Sequence, residues 1–153
     1  MMIKQRTIWA AVIGIFMSIA VRLVAGEMSV EAVVAVDKDT KPTTSFSSDV
    51  PKIYCFFRTK GSEKGDKLRA VWIADDVGDA APADTKIDEA SLTADQDNFF
   101  GAFSLSKPTK GWPVGKYHVD IYNGDDVGTT VKFTIKGGKA PAKSDEDESS
   151  EEE

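Results

Sequence analysis

The sequence is poor in the residues that carry most catalytic and metal chemistry. Its 153 residues hold a single cysteine and a single histidine. One cysteine cannot close an internal disulfide or build a Cys-rich zinc site. One histidine leaves His118 as the sole imidazole for a Ser–His or Cys–His arrangement, and excludes a His-rich metal cluster. Basic residues are also short: 19 Lys and Arg stand against 25 Asp and Glu, a formal net charge of −6. Neutralising a phosphate backbone needs the opposite balance, so no nucleic-acid partner is expected. Phosphate-cradling glycine loops, nucleotide fingerprints, paired-His motifs and heptad seams are missing as well. No cofactor is expected. What remains, with 41% hydrophobic residues, is enough to build the core of one domain.

The two ends differ from the middle. Residues 1–26 read MMIKQRTIWAAVIGIFMSIAVRLVAG, with Lys4 and Arg6 ahead of an apolar run from Ile8 to Val21 and small residues at Ser18, Ala20, Ala25 and Gly26. Positive charge followed by a short apolar stretch and small residues is the pattern of a secretory signal, with cleavage possible after Ala20, Ala25 or Gly26. The competing reading is an uncleaved membrane anchor, in which Arg22 snorkels to the interface. Either way the body lies outside the cytoplasm: periplasmic, secreted or tethered to the cell envelope. A membrane is a partner only through this segment, if it is retained. Residues 138–153 carry seven acids and no apolar side chain larger than Ala. Such a stretch buries too little to offset its ordering entropy and is expected to be a disordered acidic tail.

Between them, residues 30–137 show no sustained 3.6-residue apolar period. Short runs of period two recur instead, separated by Gly, Pro, Asp and Asn. Strands are expected at Ala32–Val36, Lys52–Thr59, Lys67–Asp75, Asn98–Leu105, Lys116–Tyr122 and Val127–Ile135. In the second, Ile53, Cys55 and Phe57 share one face and Tyr54, Phe56 and Arg58 the other. Asn123-Gly124-Asp125-Asp126 joins the last two, with Asn-Gly supplying the positive φ of a tight hairpin. Asp76–Ala94 is ambiguous, fitting either a short edge strand near Thr85–Ala90 or one helical turn. Six or seven short strands fit an all-β fold, an antiparallel two-sheet sandwich.

Gly115-Lys116-Tyr117-His118-Val119, with Cys55 and Trp72 in earlier runs, resembles the framework of the immunoglobulin-like and fibronectin-III-like sandwich modules of exported bacterial proteins. The resemblance implies an Ig-like domain over residues 30–137. It implies that Tyr117 forms the corner whose hydroxyl bonds nearby backbone. It also implies that Trp72 covers Cys55 and Val119, with Val119 standing where the family often has its second cysteine. Packing then replaces the inter-sheet disulfide.

Candidate sites each have a plainer competitor. Cys55, mid-strand on an apolar face, is expected to be an inert core thiol. His118 and Asp120 lie two apart on one strand face, so the carboxylate could orient the imidazole, but no nucleophile accompanies them. Asp75, Asp76 and Asp79 are candidate calcium ligands, although Asp, Asn and Gly are also what turns require. Trp112 stands outside the alternation between Gly111 and Pro113. With Tyr122, Asp125 and Asp126 it forms the candidate ligand-binding surface, while a plug at the end of the sandwich is the alternative for the indole. The expectation is a non-enzymatic binding or structural module with a protein or polysaccharide partner, acting through a sheet face, an edge strand or end loops. Alternatives are a carbohydrate-binding accessory domain, and a protease inhibitor presenting the Asp76–Thr85 loop.

Overall fold

The computed structural model describes residues 27–138. The expected signal or anchor, and the acidic tail beyond Gly138, lie outside the described residues.

Strand β1 spans Ser29–Ala35, β2 Ser45–Ser47, β3 Lys52–Lys60, β4 Lys67–Asp76, β5 Thr85–Thr93, β6 Phe100–Ser106, β7 Gly115–Asn123 and β8 Asp126–Lys136. They form a three-stranded sheet in the order β1-β3-β6 and a five-stranded sheet in the order β2-β8-β7-β4-β5. All pairings are antiparallel except β2 with β8. This is the strand order of an immunoglobulin-like sandwich: three strands in one layer, and in the other the central trio extended by one strand at each side.

Alternation decides the core. In β3 the residues Ile53, Cys55 and Phe57 are buried, as are Leu68, Ala70 and Trp72 in β4 and Tyr117, Val119 and Ile121 in β7. Trp72, opposite Val119 in the β4–β7 register, joins Cys55 and Phe133 in one apolar cluster. Its ring meets that of Phe133 edge-on at 6.1 Å, and Tyr117 stacks on Phe133 at 5.4 Å. The Tyr117 hydroxyl donates to the carbonyl oxygen of Pro113 at 2.5 Å, the bond of the tyrosine corner.

Three local expectations are corrected. The Asp76–Ala94 stretch contains both features offered as alternatives: a 3₁₀ turn at Gly78–Ala80, then a nine-residue strand, β5. Strand β2, three residues long, was absent from the sequence reading. The β7–β8 hairpin is tight, but its two-residue loop is Gly124–Asp125 rather than Asn123–Gly124. Asn123 ends β7, and only Gly124 takes a positive φ, 59°. Glycine at the first loop position is the II′ pattern, which suits the strand twist as well as Asn-Gly does.

Candidate functional site

Strand β3 and the first half of β6 carry apolar residues on both faces. Their inner residues fill the core. Their outer residues, with those of β1, form a surface no other described element covers. Val33 of β1 lies opposite Phe56 of β3, which lies opposite Ala102 of β6. Tyr54 stacks beside Phe56 with ring centroids 5.7 Å apart. Phe100, at the start of β6, is 68% exposed and Val33 44%. A shallow depression between β1 and β3 is lined by Glu31, Val33, Phe56 and Arg58. At one end of the face Glu31 pairs with both Arg58 and Lys60, which hold its carboxyl below the usual range, the Arg58 hydrogen bond foremost. At the other end the Lys52 ammonium lies 5.7 Å from the Tyr54 ring centre. The surface is thus an apolar centre with charged ends.

Its β6 border is open. The Thr59 N–H donates to the carbonyl of Phe99 and the Lys107 N–H to that of Pro51, at 2.8 and 2.9 Å. Antiparallel strands alternate the direction of their backbone groups. The main-chain groups of Gly101, Phe103 and Leu105 therefore point toward β3, and those of Phe100, Ala102, Ser104 and Ser106 point away from it. No described strand takes them up. The other borders are better guarded. Part of β1 is capped where the Thr43 N–H donates to the Val34 carbonyl at 3.0 Å. Strand β5 carries Lys86, Asp88 and Glu89, and its pairing to β4 is broken by a register shift at Trp72/Ile73. Charges and bulges are how natural sheets protect an edge. Strand β6 has neither: FGAFSLS is uncharged and its register with β3 is unbroken.

The candidates named from sequence are placed elsewhere, and most are engaged. Trp112 is only 5% exposed and its Nε1–H donates to the carbonyl oxygen of Val50 at 2.6 Å, so it plugs the end of the sandwich and offers no face for stacking. Tyr122 is half-buried on the outer face of the five-stranded sheet, with the Arg69 guanidinium 4.2 Å from its ring centre. Arg69 is in turn paired to Glu89 at 3.1 Å. Asp125 and Asp126 are exposed in the hairpin, on the far side of the five-stranded sheet from Trp112's end. Trp112, Tyr122, Asp125 and Asp126 do not converge.

Asp75, Asp76 and Asp79 do not converge either. A carboxylate oxygen of Asp75 is bonded to His118 Nδ1. Asp76 Oδ1 accepts from the Gly78 N–H at 3.2 Å, closing a local turn, and Asp79 sits exposed in the 3₁₀ turn. Among the described residues no group of three or more His, Cys, Asp or Glu side chains is arranged to hold a metal ion. His118 Nε2 lies 3.4 Å from Asp120 Oδ2, and Asp120 Oδ1 accepts from the Thr130 hydroxyl at 2.5 Å. The imidazole is thus held between two carboxylates, a cross-strand clasp over β4, β7 and β8. Cys55 is fully buried, and burial pushes its thiol up to about 12. The Asp76–Thr85 loop is anchored by buried Val77 and by the Thr85 hydroxyl donating to the Pro82 carbonyl at 2.6 Å.

The fold is immunoglobulin-like. No family model matches the sequence, and no curated protein does. Among solved structures, an immunoglobulin-like protein from Pseudomonas aeruginosa superposes with a TM-score of 0.49 at 15% identity, over 74% of this chain and 99% of that one. An alkylpurine DNA glycosylase from Pseudomonas fluorescens gives 0.45 at 13% identity, over 72% of this chain and 30% of its own. A β-glucosidase from Listeria innocua gives 0.47 at 9% identity, over 73% of this chain and 16% of its own. The chain therefore spans a minor part of both enzymes. Identities this low concern the fold alone, and the activities of those proteins carry no weight here.

The apolar outer face was missed from sequence although its signal is present. In Lys52–Lys60 apolar side chains occupy both parities, Ile53, Cys55, Phe57 on one and Tyr54, Phe56 on the other. A strand apolar on both faces is either sandwiched or carries an exposed patch, and three strands against five leave this one open.

Proposed function

We propose that this protein is an exported, non-enzymatic binding module whose working surface is the outer face of the three-stranded sheet together with its β6 border. The observation that carries the reading is the combination on one sheet of exposed Val33 and Phe100 and half-buried Phe56 with an edge that no described strand pairs. Large apolar side chains grouped on a small domain are unfavourable in water by about 25 cal/mol per Å² and mark surfaces that meet another protein. An edge with free N–H and C=O groups adds main-chain bonding to that attraction, the arrangement used in recognition by strand addition. The signal-like residues 1–26 support placement outside the cytoplasm. His118 supports a non-enzymatic role, since its two nitrogens face Asp75 and Asp120 rather than a nucleophile. The carbohydrate reading loses its main support with Trp112 buried.

The test is site-specific photo-crosslinking in the producing cell, with the photoreactive residue at position 100 and, as control, at position 86 on the β5 edge. Adducts at 100 and none at 86 are expected, in the fraction outside the cytoplasm. Absence of adducts at 100, or the same adducts at both positions, overturns the assignment of this face.

A further inference from the structure

We propose that the β6 edge is occupied by a second copy of this chain, pairing antiparallel with its own β6 about a two-fold axis at Phe103 to join two three-stranded sheets into one of six. The inference rests on the binding surface proposed above and names its partner.

Three observations select a second copy. The first is backbone direction. A two-fold at Phe103 sets Phe100 opposite Ser106 and Ala102 opposite Ser104, and these are the residues whose main-chain groups point away from β3. In this register every one of those groups meets a complementary group on the other copy, as hydrogen-bonded antiparallel pairs require.

The second is charge. Self-pairing sets like against like, so it tolerates no charge near the axis. Strand β6 has none. Strand β5, paired to itself about its centre, would set Glu89 against Glu89, which is destabilising. Beyond the strand the same register becomes attractive. The chain enters β6 through exposed Asp95 and Asp97 and leaves it through exposed Lys107 and Lys110. Antiparallel pairing brings the acidic entry of each copy beside the basic exit of the other, twice, by symmetry. None of these lysines has an ion-pair partner among the described residues.

The third is continuity of the apolar face. Ala102 and Phe100 border Phe56 and Val33 within one copy, and the two-fold makes the patches of the two copies adjoin. The exposed Phe100 ring then lies over Ser106 of the other strand, within reach of the aliphatic part of Lys107. A flat, unbulged, uncharged edge is the configuration that natural sheets avoid leaving free.

The experiment is sedimentation of the full chain over a wide concentration range, at low and at high salt. A reversible monomer–dimer equilibrium that weakens with salt is expected. Ser104→Pro removes an N–H from the open border while sparing the β3–β6 bonds, and should weaken dimerisation on the order of tenfold or more. Should that variant unfold, Ala102→Lys, whose side chain points outward, reads the same border. Lys107→Glu with Lys110→Glu should weaken the dimer and reverse its salt dependence, because like charges then face each other and salt screens their repulsion. Register is read by mixing Ala102→Cys and Ser104→Cys chains: a heterodisulfide between them, and little of either homodisulfide, is expected. A monomer at every concentration, or a dimer indifferent to Ser104→Pro and Ala102→Lys, overturns the pairing. If the chain is monomeric while position 100 still crosslinks to a different protein, self-pairing falls and the binding face stands. If position 100 crosslinks to nothing, both fall.

Discussion

Tyr117 divides its side chain between two tasks. The ring stacks on Phe133, and the hydroxyl leaves the core to bond the Pro113 carbonyl. Tyr117→Phe keeps the first and removes the second, leaving a carbonyl without its donor. A loss of about 1–2 kcal/mol in unfolding free energy is expected from chemical denaturation. Burial also pushes the Tyr117 hydroxyl up to about 12, as it does the Cys55 thiol. Both groups are thus held protonated in the folded chain, while in the unfolded chain they ionise near about 8.5 (thiol) and 10 (phenol). Their contribution to stability is complete below those values and is lost as pH rises through them toward 12. Denaturation midpoints should fall over that alkaline range, less steeply in Cys55→Ala, and the native thiol should resist a disulfide reagent at pH 8 until the chain unfolds. A midpoint rising with pH there would contradict the burial argument. The burial of Cys55 and Trp72 was legible because period two fixes which face a residue takes. His118 was legible only as far as its strand. Its partner Asp75 comes from β4, and nothing local in the sequence links positions 75 and 118.

Among the elements, β7 shows why a small residue opens the strand. A Cβ on Gly115 would lie 2.2 Å from the Asp76 carbonyl oxygen and 2.9 Å from Val77 Cα. The β4–β7 ladder shifts register between Ala74 and Asp76, bringing that backbone close. Gly115→Ala therefore cannot be accommodated by a side-chain rotation. A cost of about 1–3 kcal/mol or more is expected, read as a drop in thermal midpoint. The same substitution at Gly137, where nothing lies within 4 Å, should be nearly neutral. Strand β5 was only half legible because little of it is buried. Only Thr85 and Leu92 are half-buried, the rest of the strand is exposed, and the alternation that marks other strands is missing. Strand β2 was not legible at all. Three residues hold no periodicity, and Ser45–Ser47 becomes a strand only because Thr134–Lys136 lies parallel beside it.

For the molecule as a whole, Trp72 and its neighbours do what an inter-sheet disulfide does in many sandwiches of this kind. Trp72 is 1% exposed, and Cys55, Val119, Ile121 and Ile135 are fully buried in the same cluster. Trp72→Ala should cost about 3–5 kcal/mol, a large share of the stability of a domain this size. Val119→Cys should place a second thiol in the Cys55 cluster, and any bridge that forms should raise the denaturation midpoint by constraining the unfolded chain. Intact-mass measurement on protein isolated from the producing cell reports the thiol state and whether residues 1–26 are retained.

Alternation of side chains along the chain pointed by itself to a two-layer β sandwich and to the core faces of β3, β4 and β7, and the single cysteine to a domain with no internal disulfide. Those are properties of single strands and of composition, and each strand carries them locally. Tertiary structure alone decided which polar and aromatic residues remain free. Trp112 is taken by Val50 across 62 residues of sequence, Asp75 by His118 across 43, and Arg69 covers Tyr122. It also decided that the layers are unequal, three strands against five, which leaves half-buried Phe56 and exposed Phe100 on the outer face of a sheet whose β6 edge no described strand pairs. Pairing between strands is a long-range choice. A period of two says which way a side chain points, and says nothing about which strand, if any, lies next to it.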